Sequence, residues 1–106
     1  MDKKLVLQAK KHDKEAFVKL VENYQVSMYK TAIAILQNDE DAADAIQETI
    51  LICWEKIGSL RNAKFFKTWM TRILIHRCYA IYNENKRTVT ADSFPDVMDL
   101  SLIHIS

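Results

Sequence analysis

The 106-residue sequence contains one glycine, one proline and two cysteines, and these low counts exclude several kinds of protein. A β-sandwich or β-barrel needs a turn about every 8–12 residues, and dense turns draw on glycine and proline. Two cysteines fit neither a disulfide scaffold nor a zinc site. The composition therefore predicts an all-α domain that works under reducing conditions.

Long hydrophobic runs are also missing. No apolar stretch approaches the roughly 18 residues that a membrane-spanning helix needs. The first residues, MDKKLVLQAKKHDK, carry too much charge for a signal peptide. The sequence thus predicts a cytoplasmic protein without a membrane partner, and its 49% of hydrophobic residues suffices for a small core.

The net charge of +1 conceals two charged segments of opposite sign. Residues 39–55 contain six acidic side chains and no basic one, whereas residues 59–87 contain seven basic side chains and one acidic side chain. Adjacent segments of opposite sign indicate two different binding partners. A solvated helix face that binds nothing explains each segment equally well on charge alone.

The spacing of apolar residues predicts a compact bundle of about four helices. The first helix covers residues 3–11, and Asp13 is expected to cap the second. Asn38 is expected to end the second helix, and either Asp39 or Asp41 to cap the third. Acidic residues in a first turn suit the helix dipole, which supports this start.

The third helix has a predicted end and a predicted inward stripe. Gly58 is expected to stop it as the residue after the C-cap, and Asn62 is expected to cap a fourth helix that runs to about residue 87. The expected inward stripe comprises Ala43, Ile46, Ile50, Cys53 or Trp54, and Ile57.

The pattern changes after the predicted domain of residues 1–87. Residues 88–99 contain turn formers and the proline, which predict a linker. Residues 100–106 form an apolar heptapeptide that resembles the translation of a sequencing-library adapter, so a non-native, irregular tail is expected. A short native strand or arm is the alternative.

Enzyme signatures are absent from the sequence. It has no glycine-rich phosphate loop, HExxH motif, nucleophile elbow or cysteine cluster. Asp41, Asp44 and Glu48 form carboxylate pairs one helical turn apart, but the Glu-x-x-His motif of a di-iron site is missing. The sequence therefore predicts a protein that is not an enzyme and that holds no metal or cofactor.

Each charged segment carries a candidate binding surface. In DEDAADAIQETILICWEKI, the adjacent amide and carboxylate of Gln47 and Glu48 match arginine side chains on a partner. In NAKFFKTWMTRILIHRCYAIYNENKR, basic side chains lie on one helix face, where they can neutralise phosphates beside aromatic rings that stack on unpaired bases. Phe66 and Trp69 are expected in the core. The basic face comprises Lys64, Thr68, Arg72 and His76, with Lys67 beside them.

Together the two segments resemble the conserved second region of bacterial sigma factors, specifically the small extracytoplasmic-function group. The resemblance covers residues 14–87, and its specific part is DA-x-D-x-x-QE followed at a fixed distance by F-x-TW-x-x-RI. It implies a helical bundle whose acidic helix binds the clamp helices of the largest subunit of core RNA polymerase. It also implies that the basic helix and the preceding loop recognise and open the minus-ten promoter element. An anti-sigma factor is a further partner that the group allows.

The resemblance assigns roles to individual residues. Asp44, Gln47 and Glu48 match the polymerase-binding motif, with Asp41 as a helper, and the loop of residues 59–64 matches the segment that holds a flipped base of the non-template strand. The implied DNA-binding residues are Arg61, Asn62, Lys64, Lys67, Arg72, His76 and Arg77.

The sequence also departs from the group. His76 stands where relatives often have asparagine, and Met70 replaces the second tryptophan of housekeeping sigma factors. The helix-turn-helix domain of the group would follow residue 99, so a truncated chain is expected. Two other functions stay open: a helical protein-interaction module with a merely solvated basic face, and a general single-stranded nucleic-acid binder.

Overall fold

The computed structural model of the protein describes residues 2–90 of the chain, and the side chains of residues 2–86. Its helices are α1 (Lys3–Lys10), α2 (Lys14–Leu36), α3 (Asp39–Lys56) and α4 (Phe66–Thr90). Two 3₁₀ turns, Ile57–Ser59 and Ala63–Phe65, connect α3 to α4, and the described residues contain no strand. The predicted all-α bundle of four helices is confirmed.

Side chains cap the starts of α2 and α3. Asp13 caps α2 as predicted, because its Oδ1 accepts a hydrogen bond from the Ala16 N–H at 3.2 Å. Asn38 caps α3, since its Oδ1 accepts from the Asp41 N–H at 2.9 Å, so the prediction of Asp39 or Asp41 was wrong. Asn38 has the extended backbone that a cap requires, whereas the acids that follow it lie in the first turn.

The ends of α1 and α2 use left-handed residues other than glycine. His12 has φ 65° and Gln37 has φ 54°. The predicted role of Gly58 was wrong, because the chain continues from α3 into the turn Ile57–Ser59 and no glycine has a positive φ. The one glycine of the chain therefore lies where its backbone freedom is not used.

The core is built from large side chains of α2 and α4 against small side chains of α3. Leu20, Met28, Phe66 and Leu74 are buried, and the free cysteines Cys53 and Cys78 are buried as predicted. The buried residues of α3 are Ala42, Ala45, Thr49 and Cys53.

The predicted inward stripe of α3 was therefore wrong in part. Ala43 is exposed, and Ile46 and Ile50 are only half-buried beside the small side chains. The sequence-based prediction placed the largest apolar side chains of α3 on its inward face. However, α3 packs against both α2 and α4, and the line nearest to these helices consists of small residues.

The start of α4 depends on a capped turn. The Asn62 Oδ1 accepts a hydrogen bond from the Lys64 N–H at 3.0 Å and begins the turn Ala63–Phe65, from which α4 continues. Helix α4 extends to Thr90, so residues 88–90 of the predicted linker are helical. The rest of that linker, residues 91–99, and the predicted tail, residues 100–106, lie outside the described residues.

Helix α2 packs against the other three helices, and α3 packs against α4. The acidic and basic segments therefore lie on neighbouring helices. Among residues 2–90, no helix is long and apolar enough to span a membrane.

Candidate functional site

The outer face of α3 carries an exposed acidic row. Asp44 and Gln47 are exposed, and Leu51 lies on the same row, since residues three and four apart share one face of a helix. The side chain of Leu51 is 62% exposed although it is large and apolar. The sequence analysis missed Leu51. Its helical spacing from Asp44 and Gln47 could have placed it on the same face.

Glu48 lies between this face and α4, where it forms an ion pair with Arg77. The Arg77 Nε and Nη2 atoms each lie 2.7 Å from the Glu48 Oε1. The side chains of Arg77 and Glu48 are 37% and 45% exposed, so solvent still reaches both. The structure thus joins two residues that the sequence analysis assigned to different partners.

Asp41 also contacts α4. Its Oδ2 accepts a hydrogen bond from the Asn85 Nδ2 at 2.8 Å. The four predicted polymerase-binding residues therefore form two pairs: Asp44 and Gln47 face outward, whereas Asp41 and Glu48 lie along the junction of α3 and α4.

The basic face of α4 is exposed as predicted. Lys64, Lys67, Arg72 and His76 are all exposed. Arg72, His76 and Arg77 line one shallow pocket of about 260 Å³ together with Ile52 and Ile73, so the structure brings these three predicted residues together.

The aromatic residues of α4 divide between core and surface. Phe66 is 1% exposed and packs against Trp69, with 5.9 Å between ring centroids, which confirms their predicted place in the core. Phe65 is 54% exposed, and the Lys64 Nζ lies 5.9 Å from the centroid of its ring. An exposed ring beside an ammonium group is suited to base stacking next to a phosphate.

The loop of residues 59–64 is held in a defined shape. Leu60 is buried, and its carbonyl oxygen accepts a hydrogen bond from the Lys10 Nζ of α1 at 2.6 Å. The Ser59 Oγ donates to the Lys56 carbonyl oxygen at 2.7 Å. Asn62 uses its side-chain oxygen for capping, and Arg61 is exposed. The loop is therefore tied to both α1 and the end of α3.

An open cleft of about 590 Å³ lies beside this loop. Its volume is within the usual range of about 300–1,000 Å³ for ligand sites. The cleft brings together the predicted residues Asn62, Lys64 and Lys67, but Arg61 is not among its lining residues. Residues that the sequence analysis missed also line it, namely Asp2, Lys3 and Tyr24.

Tyr24 fixes one side of the cleft. Its hydroxyl group donates a hydrogen bond to the Asp2 Oδ2, and its ring packs against Phe66 with 5.8 Å between centroids. Burial, together with the hydrogen bond and the charge of Asp2, raises the pKa of Tyr24 to about 12. The phenol therefore stays protonated at neutral pH and keeps Asp2 in place as a hydrogen-bond acceptor.

The described residues offer no cluster of three or more His, Cys, Asp or Glu side chains that is suited to a metal ion. Burial raises the pKa of the Cys53 thiol to about 12 and that of the Cys78 thiol to about 11. Both thiols are therefore protonated at neutral pH, which is the unreactive form.

Comparison with known proteins gives consistent matches. Residues 20–88 match the family model for sigma-70 region 2. The ECF RNA polymerase sigma factor SigW of Bacillus subtilis is 34% identical over 73 residues, which are 69% of this chain and 39% of that protein. The RNA polymerase sigma-H factor of Pseudomonas aeruginosa is 31% identical over 75 residues, which are 71% of this chain and 39% of that protein.

The RNA polymerase sigma factor SigV of B. subtilis is 23% identical over 86 residues, which are 81% of this chain and 52% of that protein. The chain thus spans 39% to 52% of the length of these relatives. Helix α1 precedes the segment that matches the family model.

Proposed function

Because the chain belongs to the sigma-70 region 2 family, within the extracytoplasmic-function sigma factors, we propose that it binds core RNA polymerase and the minus-ten element of promoter DNA. The family consists of transcription initiation factors and not of enzymes. The observation that carries the proposal is the separation of charge. An acidic row on α3 and a basic surface on α4 lie on neighbouring helices, and both are exposed.

The acidic row supports binding of the polymerase clamp helices. Exposed Asp44 and Gln47 offer a carboxylate and an amide to arginine side chains of the partner. One turn further along α3, the exposed Leu51 offers the partner an apolar contact. Charge-assisted hydrogen bonds of this kind contribute about 1.5–3 kcal/mol each. Glu48 also contacts the polymerase, either while its carboxylate still bonds to Arg77 or after the ion pair with Arg77 has broken.

The loop and α4 support binding of the opened non-template strand. Lys64 and Lys67 stand at the cleft, and Arg72 and His76 continue the basic surface along α4. Lysine and arginine contacts to phosphates position the strand, while the cleft is the place for a flipped base. Flipping a base costs a few kcal/mol, so binding is favoured when polymerase has already opened the duplex.

The proposed partners work in the bacterial cytoplasm, and the proposal needs no cofactor. An anti-sigma factor stays a prediction from the resemblance.

Asp44 gives the cleanest test of polymerase binding, because it is exposed and forms no ion pair with another described residue. Asp44→Lys should abolish co-purification with core polymerase and leave the helical circular-dichroism signal unchanged. Glu22→Lys on α2 makes the same change of charge at an exposed site outside the acidic row, and it should bind normally. If Asp44→Lys binds core with unchanged affinity, the polymerase assignment fails, and the general single-strand binder gains support.

Lys67 and Arg61 test DNA binding by fluorescence anisotropy with single-stranded oligonucleotides that differ at one position. Lys67→Gln should weaken all of them about equally and flatten the dependence of log K on log salt by roughly 0.7 for one lost phosphate contact. Arg61→Ala, in the loop, should instead change which base is preferred. Equal and salt-insensitive binding of all oligonucleotides by the wild type would favour the protein-interaction module.

A further inference from the structure

The cleft beside the loop is not built from the sigma-70 region 2 segment alone. Asp2 and Lys3 at the start of α1 form part of its lining, although residues 20–88 are the part that matches the family. Lys3 faces the same space as Lys64 and Lys67. The single carboxylate of the lining, that of Asp2, accepts the hydrogen bond of the Tyr24 hydroxyl group. The cleft therefore presents three ammonium groups and one carboxylate.

Helix α1 is fixed at both ends relative to this cleft. The bond between Tyr24 and Asp2 holds its first turn, and the bond from the Lys10 Nζ to the Leu60 carbonyl oxygen holds its last turn against the loop. Val6 and Ala9 between them are both fully buried. Lys3 therefore projects from a rigid support, so a phosphate contact there is made with little loss of conformational freedom beyond that of its own side chain.

We propose that α1 completes the cleft as a nucleotide-binding site, in which Lys3 binds the phosphate of the nucleotide held beside Asn62 and Lys64. The ligand class is a nucleotide of single-stranded DNA, because three ammonium groups call for an anion and the half-buried Tyr24 ring provides an apolar wall for a base. Tyr24 is a positioning residue, since it holds Asp2 and thereby the first turn of α1. This inference rests on the proposed function and adds residues outside the family segment to it.

Lys3→Gln tests the contact, and Lys4→Gln is its matched control, because Lys4 is exposed on the same turn but does not line the cleft. Anisotropy with a labelled single-stranded oligonucleotide carrying a minus-ten-like sequence should show an affinity about three- to tenfold lower for Lys3→Gln, as for the loss of one hydrogen-bonded contact. The salt slope should flatten by roughly 0.7 in Lys3→Gln and stay unchanged in Lys4→Gln. Tyr24→Phe should lower the affinity of the wild type but not that of Lys3→Gln, because Tyr24 acts through the first turn of α1.

A series of oligonucleotides, each with one neutral methylphosphonate, locates the phosphate. At one position the loss of affinity should occur in the wild type but not in Lys3→Gln, because the two partners of the same contact have each been removed. Equal behaviour of Lys3→Gln and Lys4→Gln, while Lys67→Gln still weakens binding, would overturn this inference and leave the proposed function standing. A wild-type chain that binds no oligonucleotide would overturn both.

Discussion

The ion pair between Glu48 and Arg77 joins the acidic and basic surfaces, and its strength decides how freely each residue is available to a partner. Both nitrogen-to-oxygen distances are 2.7 Å, which is close. The side chains are nevertheless 37% and 45% exposed, so water screens the charges. Exposed pairs contribute about 0.2–1 kcal/mol, whereas breaking a buried pair costs about 3–5 kcal/mol. We expect a coupling free energy of about 0.5–1 kcal/mol.

A double-mutant cycle measures this coupling. Urea unfolding of the wild type, Glu48→Gln, Arg77→Gln and the double variant, followed by circular dichroism, gives the four free energies of unfolding. The coupling should shrink in roughly 1 M salt, where the Debye length is only about 3 Å. A coupling above about 2 kcal/mol that does not change with salt would refute the argument, because the pair would then behave as buried.

The same ion pair predicts whether loss of Arg77 strengthens or weakens polymerase binding. Arg77 and the polymerase compete for the Glu48 carboxylate under the proposed function. Arg77→Gln should therefore strengthen binding to core polymerase by up to about fivefold, which corresponds to roughly 1 kcal/mol. Weaker binding of core by Arg77→Gln would show that the internal pair positions Glu48 for its partner instead of competing for it.

Three further predictions concern stability. Gln37→Gly should raise the free energy of unfolding by about 1 kcal/mol, because Gln37 ends α2 at φ 54°, a conformation that costs other residues about 1–2 kcal/mol. Gly58→Ala should leave stability unchanged or raise it by about 0.4–1 kcal/mol, since an added Cβ meets nothing within 4 Å and φ is not positive; a loss in urea unfolding would contradict this. The pKa values of Cys53 and Cys78 are raised by burial from 9.0 to about 12 and about 11, so the folded state favours the protonated thiols. The contribution of the two thiols to the free energy of unfolding is complete below about pH 9 and is lost as the pH rises toward 11–12. The urea concentration at the unfolding midpoint should therefore decrease when the pH is raised from about 8 to about 11, and an unchanged midpoint would contradict the prediction.

Features that depend on neighbouring residues along the chain were predictable from sequence. The cap at Asp13, the exposure of Lys67, Arg72 and His76, and the burial of Phe66 all follow from local capping and helical periodicity. The cap of α3 was predicted one or three residues too late, because an asparagine followed by three acids offers several plausible caps and only the backbone conformation decides among them.

Contacts between helices were not predictable in this way. Glu48 and Arg77 are 29 residues apart, and Asp2 and Tyr24 are 22 apart. Whether such residues meet depends on the angle and rotation at which helices pack, and periodicity gives only the face on which each residue lies. The inner line of α3 was missed for the same reason. Small residues such as Ala42 and Ala45 allow close packing, but they carry a weak hydrophobic signal.

Under the proposed function, the length of α4 has a consequence for the spacing of promoter contacts. From Thr68 to His76, which lie on the same face, the helix rises by about 12 Å, which equals roughly three and a half base steps of 3.4 Å. An α-helix does not stretch, so contacts at these two positions keep a fixed separation along the DNA. Inserting one base pair between them displaces a contact by more than the length of a hydrogen bond, whereas exchanging a base leaves the phosphates in place. If the proposed promoter binding holds, the promoters should therefore vary more readily in sequence than in spacing.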